Sequence, residues 1–236
     1  MTAHPGLSVI VPAYNEEASL AEAILAMVET VAPAVSPLEI VIVDDGSEDR
    51  TGDIAETLSH ALPGVRVVHH AENAGWGQAV RTGIANAKQE FLVLAPVDNP
   101  ITGEQARTFL AAVDRADVVI GYRTGRAGYS PWLRLGSRCY TRAVRMLFRL
   151  PYRDVNWIHV YRKTAIERLP LRLSGIVFPA EVVAKAHRRG YRIVEVHSEM
   201  KPRMKGRATV SRPKVIVRAM RDLVRLWREM RRPEWS

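Results

Sequence analysis

The sequence predicts one α/β domain built on a mostly parallel sheet. Short β-branched apolar runs alternate with stretches of helical periodicity through the first half of the chain. A polar, often glycine-bearing segment follows each of these runs. With 236 residues, 47% hydrophobic and 25% charged, the chain has the length and composition to bury a core without covalent staples. The single cysteine, Cys139, has no intramolecular partner for a disulfide.

Strands are expected over 7–11, 39–43, 65–68, 91–94 and 118–120, where Val, Ile and Leu concentrate. Helices over 19–30, 51–61, 77–88 and 102–112 fill the intervals. The last of them opens on Thr102 with Gln105 three residues on, a capping-box pattern. After about residue 121 the alternation fails, and 123–153 contains eight arginines and no acidic residue. Further on, 176–189 reads as helix, 191–196 as strand and 213–232 as a basic amphipathic helix. The organisation expected is a main domain over 1–210 and a C-terminal helix within 211–236.

An open parallel sheet binds ligands outside the carboxyl ends of its strands. Four loops there stand out: Pro12-Ala13-Tyr14-Asn15-Glu16, Asp44-Asp45-Gly46-Ser47, Asn73-Ala74-Gly75-Trp76-Gly77 and Pro96-Val97-Asp98-Asn99. Asp44 and Asp45 before Gly-Ser suit a helix cap. With Tyr14 and Glu16 at the neighbouring strand end they also suit a nucleoside, which offers a face to stack on and donors for carboxylates. Gly75 and Gly77 serve a tight turn or let backbone amides at a helix N-terminus approach a ligand. The glycines lack the dinucleotide-binding spacing, and no P-loop lysine-serine pair follows them, which argues against dehydrogenases and P-loop ATPases.

A formal charge of +9 and a pI near 10 point to an anionic partner. Arg134, Arg138, Arg142, Arg145 and Arg149 follow helical spacing, with Trp132, Leu135, Met146 and Leu150 nearby. The segment 213–232 carries seven basic and two acidic residues beside an apolar stripe of Ile216, Met220, Leu223, Trp227 and Met230. Two cationic amphipathic helices suit an anionic membrane surface, and packing of the second stripe on the protein's own core is the alternative. Localised charge and only 7% aromatic residues disfavour a nucleic-acid-binding module. Pro5, Pro12, Asn15, Glu16 and Glu17 interrupt the N-terminus where a signal peptide needs an apolar core, and no apolar run matches a membrane span. The expected location is cytoplasmic, peripheral on the inner face of the cell membrane.

In order, VPAYNEE, VDDGS, NAGWGQAVRTG and a strand leading to Asp98 resemble the family-2 glycosyltransferases. Within that family the likeness is to dolichol-phosphate mannose synthases and bacterial polyprenyl-phosphate glycosyltransferases, over roughly residues 7–210. The resemblance implies a Rossmann-like nucleotide-diphospho-sugar transferase fold of the GT-A type, a UDP- or GDP-sugar donor, Mg²⁺ or Mn²⁺, inversion at the sugar carbon and a polyprenyl phosphate acceptor. It assigns the nucleoside to Pro12, Tyr14, Glu16 and Asp45 and the metal to Asp98, and the reading of the residues adds Asp44, Gly75 and Gly77 as further substrate-binding positions. The family's Asp-x-Asp is here Pro96-Val97-Asp98, one carboxylate short, and Mg²⁺ is commonly held by one or two carboxylates plus substrate phosphates.

Arg203 and Lys205 resemble the basic part of the family's late Arg-x-x-Gly-x-Ser segment, with Ala208 in place of the serine, and are expected to neutralise the leaving diphosphate. Arg123 and Arg138 match arginines near the donor diphosphate or the lipid phosphate. Glu181 matches an acceptor-side glutamate. It is the expected general base if the acceptor is a soluble or saccharide hydroxyl, and an orienting or metal-binding group if the acceptor is a phosphate, which is already anionic. Its ordinary alternative is a helix-surface carboxylate.

Overall fold

All seven residues of strand β1 (Leu7–Ala13) are buried, apolar and polar alike, as they must be in a parallel sheet covered by helices on both faces. This is seen in a computed structural model of the chain, which describes residues 5–123, 131–172, 175–199, 213–232 and 235. β1 pairs in parallel with β2 (Leu38–Asp44) and β4 (Phe91–Leu94), and β2 pairs in parallel with β3 (Val65–His69). β5 (Val118–Tyr122), β6 (His159–Arg162) and β7 (Ile193–His197) complete a sheet of order β3-β2-β1-β4-β6-β5-β7. The mostly parallel sheet expected from the sequence is therefore present. It has one addition that the sequence reading missed: β6 runs antiparallel to both β4 and β5.

Helices α1 (Leu20–Val31), α2 (Thr51–Ala61), α3 (Trp76–Asn86) and α4 (Gly103–Leu110) join the first five strands. α1 has no side-chain cap from Ser19, yet it buries Leu20, Ala23, Ile24, Met27 and Val31. A missing cap costs typically about 1 kcal/mol, whereas each large aliphatic side chain fully buried contributes roughly 1.5–3 kcal/mol, so burial decides this helix. α4 does form the expected capping box between Thr102 and Gln105.

One face of the sheet presents Leu7, Val9 and Val11 to α1 and α4, and the other presents Ile10, Leu92 and Ile120 to α3 and α7 (Phe178–Arg188). α3 lies so close to β1 that a Cβ on Gly83 would stand 2.3 Å from Ile10 Cγ2. A glycine there lets α3 pack this closely on β1.

α5 (Pro131–Phe148) and α8 (Pro213–Glu229) flank this core and reach it through Val144 and Leu223, and the short α6 (Lys163–Glu167) follows β6. Thr141 and Val144 are buried on α5, while Trp132, Leu135 and Met146 are exposed along with Arg134, Arg138, Arg142 and Arg145. Arg149 does not continue that series. With φ at 53° it stands in the left-handed conformation just past the helix end. The stripe expected on the C-terminal helix divides as well. Leu223 and Met230 pack with buried Ala219 and Leu226, whereas Ile216 and Met220 are exposed, as are Val217 and Val224. The expected boundary between residues 210 and 211 lies outside the described residues.

Candidate active site

Because β1 to β4 run in one direction, the loops that follow them stand on one edge of the sheet, with β1 at the point where the strand order changes side. The first two loops are stitched together. Asn15 takes a positive φ, donates its N–H to Ser47 Oγ at 3.0 Å and accepts the Glu48 N–H on Oδ1 at 2.9 Å. Glu16 donates its N–H to Thr51 Oγ1 at 2.7 Å, and its carboxylate accepts from Ser19 Oγ at 2.8 Å. Pro12 is buried at the strand end, and Tyr14, two residues on, is 40% exposed.

The two aspartates of the second loop have different surroundings. Asp44 Oδ1 accepts the Ser47 N–H at 3.1 Å, and Oδ2 meets His69 Nδ1 at 2.9 Å. Each oxygen thus has a partner inside the protein, through which Asp44 braces its own loop. His69 Nε2 in turn meets Glu56 Oε1 at 3.0 Å. Desolvation pulls the His69 pKa down, but the hydrogen bonds and charges of Asp44 and Glu56 together outweigh it and raise it above the ordinary 6.5. Asp45 is held by one oxygen: Oδ1 accepts the Ala74 N–H at 3.0 Å and meets His70 Nδ1 at 2.7 Å.

The third loop turns into α3 at Gly75, whose φ of 87° a side chain would oppose although its space is open. Gly77 is buried in the first turn. Trp76 packs edge-on against Phe178 at 5.7 Å and so joins the N-terminal ends of α3 and α7. Gly75, Trp76 and Gly77 line a hollow of about 420 Å³ together with Arg172, Ile176 and Arg218.

In the fourth loop the Ala95 N–H bonds to Ile10 O at 3.0 Å, and a turn closes from Asn99 N–H to Pro96 O, also at 3.0 Å. Val97 is buried and anchors the turn, and half-buried Asp98 stands next to it. Among the described residues no group of three His, Cys, Asp or Glu side chains gathers as a metal cage. A single carboxylate such as Asp98 fits a cation that is shared with the phosphates of a bound substrate.

Two expected site residues are engaged in other ways. Arg123 Nε donates to Asp154 Oδ2 at 2.7 Å, with both side chains 3% exposed, and its Nη2 donates to Asp154 Oδ1 and Asn156 O. The guanidinium also lies 4.7 Å from the Trp157 ring centre. Its charge is thus paired with Asp154 inside the protein, where the expectation had it facing a phosphate. Glu181 is wholly buried, and Oε1 accepts from Lys185 Nζ at 2.7 Å and from the Arg172 N–H at 3.0 Å. Lys185 Nζ also donates to Glu229 Oε1 at 2.9 Å and Pro170 O at 2.7 Å. Glu181 is neither a helix-surface carboxylate nor a base presented to an acceptor, because burial with a lysine has made it part of the core. Arg138 is exposed on α5. Arg203 and Lys205 fall in 200–212, outside the described residues.

Sequence reasoning missed His69, His70, Asp154 and Lys185. Two adjacent histidines ending one strand opposite two adjacent aspartates ending its parallel neighbour were a usable signal for the first two.

Residues 8–169 match the family model described as glycosyl transferase family 2, and the chain belongs to that family. It is a nucleotide-sugar-dependent glycosyltransferase with the expected GT-A fold. Among its relatives is the polyprenol monophosphomannose synthase of Mycolicibacterium smegmatis, 32% identical over 201 residues that make up 80% of this chain and 74% of that one. An uncharacterized glycosyltransferase of Mycobacterium tuberculosis is 31% identical over 210 residues, 87% of this chain and 89% of the relative. In fold the chain is similar to the glucosyl-3-phosphoglycerate synthase of M. tuberculosis, crystallised with Mn²⁺, UDP and phosphoglyceric acid. That match has a TM-score of 0.72 and 18% identity over 94% of this chain and 78% of the other. It is also similar to a mannosyltransferase of Pyrobaculum calidifontis in complex with GDP-Man and Mn²⁺, with a TM-score of 0.69 and 20% identity over 95% and 65%.

Proposed function

We propose that this protein moves a sugar from a UDP- or GDP-sugar to a polyprenyl phosphate while resting peripherally on an anionic membrane face. One observation carries the acceptor. A hollow of about 550 Å³ between Arg172 and α8 is lined by Arg172, Arg221, Arg225, Arg228 and Arg232 and also by exposed Met220 and Val224. Guanidinium donors beside apolar side chains suit a phosphate carried on a hydrocarbon chain. Burial of Glu181 agrees, because a hydroxyl acceptor needs a base, whereas a phosphate monoester with a second pKa of about 6 is already an anion. The kinship with a polyprenol monophosphomannose synthase points the same way.

In this reading Tyr14 stacks on the base, Asp45 and Glu16 hold the nucleoside, and Arg203, Lys205 and Arg138 meet the phosphates. Asp98 would hold Mg²⁺ or Mn²⁺ together with the donor phosphates, and the ion would supply positive charge to the departing diphosphate. The acceptor oxygen attacks the sugar carbon from the face opposite the leaving group, so the configuration inverts. The chain's own part is to hold those two reactants in line and to offset charge.

A soluble phosphorylated acceptor is the second reading, favoured by the structural likeness to a synthase crystallised with phosphoglyceric acid. Purified protein offered radiolabelled UDP- and GDP-sugars with either polyprenyl phosphate or 3-phosphoglycerate separates the two. Label extracted into organic solvent is expected. Label confined to a water-soluble product would replace the lipid acceptor.

A further inference from the structure

We infer that His70 is a positioning residue for base recognition. It fixes the Asp45 carboxylate so that one oxygen is left to accept the imino N–H of the donor's base. The inference rests on the proposed role of Asp45 at the nucleoside.

β2 and β3 run parallel with Asp44 opposite His69, and the ladder continues one step past them, where the His70 N–H bonds to Asp44 O at 2.9 Å. Asp45 and His70 are therefore brought side by side by backbone pairing. The ring then spans two elements, with Nδ1 2.7 Å from Asp45 Oδ1 and Nε2 2.9 Å from Thr82 Oγ1 on α3. A neutral imidazole has one donor and one acceptor nitrogen. A Thr82 hydroxyl that donates to Nε2 leaves the ring proton on Nδ1, directed at Asp45.

The geometry is confined, with the His70 side chain 14% exposed and that of Asp45 4%. Two donors, His70 and the Ala74 N–H, converge on the same oxygen, and Oδ2 accepts no hydrogen bond from the described residues. A carboxylate oxygen is an acceptor only. Uracil and guanine carry an imino N–H on their pairing edge, which such an oxygen matches. Cytosine and adenine carry a ring nitrogen lone pair there, and acceptor would face acceptor. If His70 is lost, Asp45 keeps one tether of two and can turn away, and the discrimination between the two kinds of base should fade.

The test is titration of UDP, GDP, CDP and ADP, each with Mn²⁺, into the full chain and its variants. His70→Leu and His70→Gln remove the donor facing Asp45, although glutamine keeps a polar group near Thr82. His70→Asn places an amide N–H close to where Nδ1 stood. For the preferred diphosphate, UDP or GDP, His70→Leu and His70→Gln are expected to weaken binding by about tenfold, the size of one hydrogen bond to a charged group. Affinity for CDP and ADP should stay level, and His70→Asn should recover most of the loss. Equal weakening for all four nucleotides, or an asparagine variant no better than glutamine, would overturn the inference. Asp45→Ala tells its failure from that of the underlying reading. If Asp45→Ala leaves selectivity intact, the nucleoside role is wrong. If Asp45→Ala abolishes selectivity while the folded His70 variants keep it, only the role of His70 is wrong.

Discussion

Lys185 on α7 and Glu229 on α8 meet at 2.9 Å, with the lysine side chain entirely out of water, and Glu181 approaches the same ammonium at 2.7 Å. One cation thus serves two interior carboxylates. Removing the shared partner of a buried cluster leaves uncompensated charge, at a cost of about 3–5 kcal/mol. Lys185→Met is therefore expected to lower the melting temperature steeply. Glu229→Gln leaves a balanced Lys185–Glu181 pair and should shift it little. Thermal unfolding of the two variants checks the order.

The same contact changes what deletion of 213–236 should do. Were the segment only an anchor, its removal would release the protein from vesicles and leave it otherwise intact. Since Leu226, Glu229 and Trp235 are buried, deletion is expected to destabilise the fold. Charge reversal at exposed Arg221 and Arg225 is the cleaner membrane test. The intact chain should sediment with anionic vesicles at low salt and detach as salt rises, and the double reversal should weaken sedimentation markedly, each basic residue being worth about 1 kcal/mol at such a surface.

Asp154→Ala strands the Arg123 guanidinium in a site where both side chains are 3% exposed. A loss of about 3–5 kcal/mol is expected in denaturant unfolding, with nucleotide affinity nearly unchanged in the folded fraction. A native-like denaturation midpoint combined with lost turnover would return Arg123 to the substrate.

Asp98→Ala is expected to remove the gain in donor affinity that Mn²⁺ confers, by at least about tenfold, since one carboxylate is all the protein offers in that turn. Binding of nucleotide without metal should persist. Calorimetry with and without Mn²⁺ measures both.

Two histidines should tilt stability with pH in opposite senses. His159 is fully buried, and desolvation, only partly opposed by the charge of Asp154, lowers its pKa to about 4. The unfolded chain then binds the extra proton first as pH falls below about 6.5, so stability held above that value is lost progressively towards pH 4, by about 3 kcal/mol in all. His69 has a raised pKa, so its contribution is complete below about 6.5 and disappears as pH rises through the folded-state value. His159→Gln should flatten the acid limb of melting temperature against pH, and the deficit of His69→Gln should shrink as pH rises.

Much of this architecture was legible in the sequence because it is written in local patterns. β1 to β5 and α1 to α4 announce themselves by apolar runs and caps, and the loops carrying Tyr14, Asp45, Gly75 and Asp98 follow from the direction of the strands. β6 was not legible: His159–Arg162 reads HVYR, polar at both ends, without the continuous apolar run that marks the equally short β4. Nor does a sequence tell one arginine from another. Arg123 and Arg138 look alike until Asp154, 31 residues beyond the first, is seen to close on it. Glu181 and Lys185 have the spacing of an exposed helix pair, and only tertiary packing places both inside.

The reversed strand β6 has an effect on how the protein can diverge. Because it runs against its neighbours, the chain leaves the sheet at the end of β5 and re-enters it on the same edge, carrying α5 as a closed excursion between two adjacent strands. Such an excursion can be lengthened, shortened or exchanged without shifting the register of any pair of strands. The constraint on such change comes from packing, since Val144 of α5 shares a core cluster with Ile10 of β1, Val80 of α3 and Leu92 of β4.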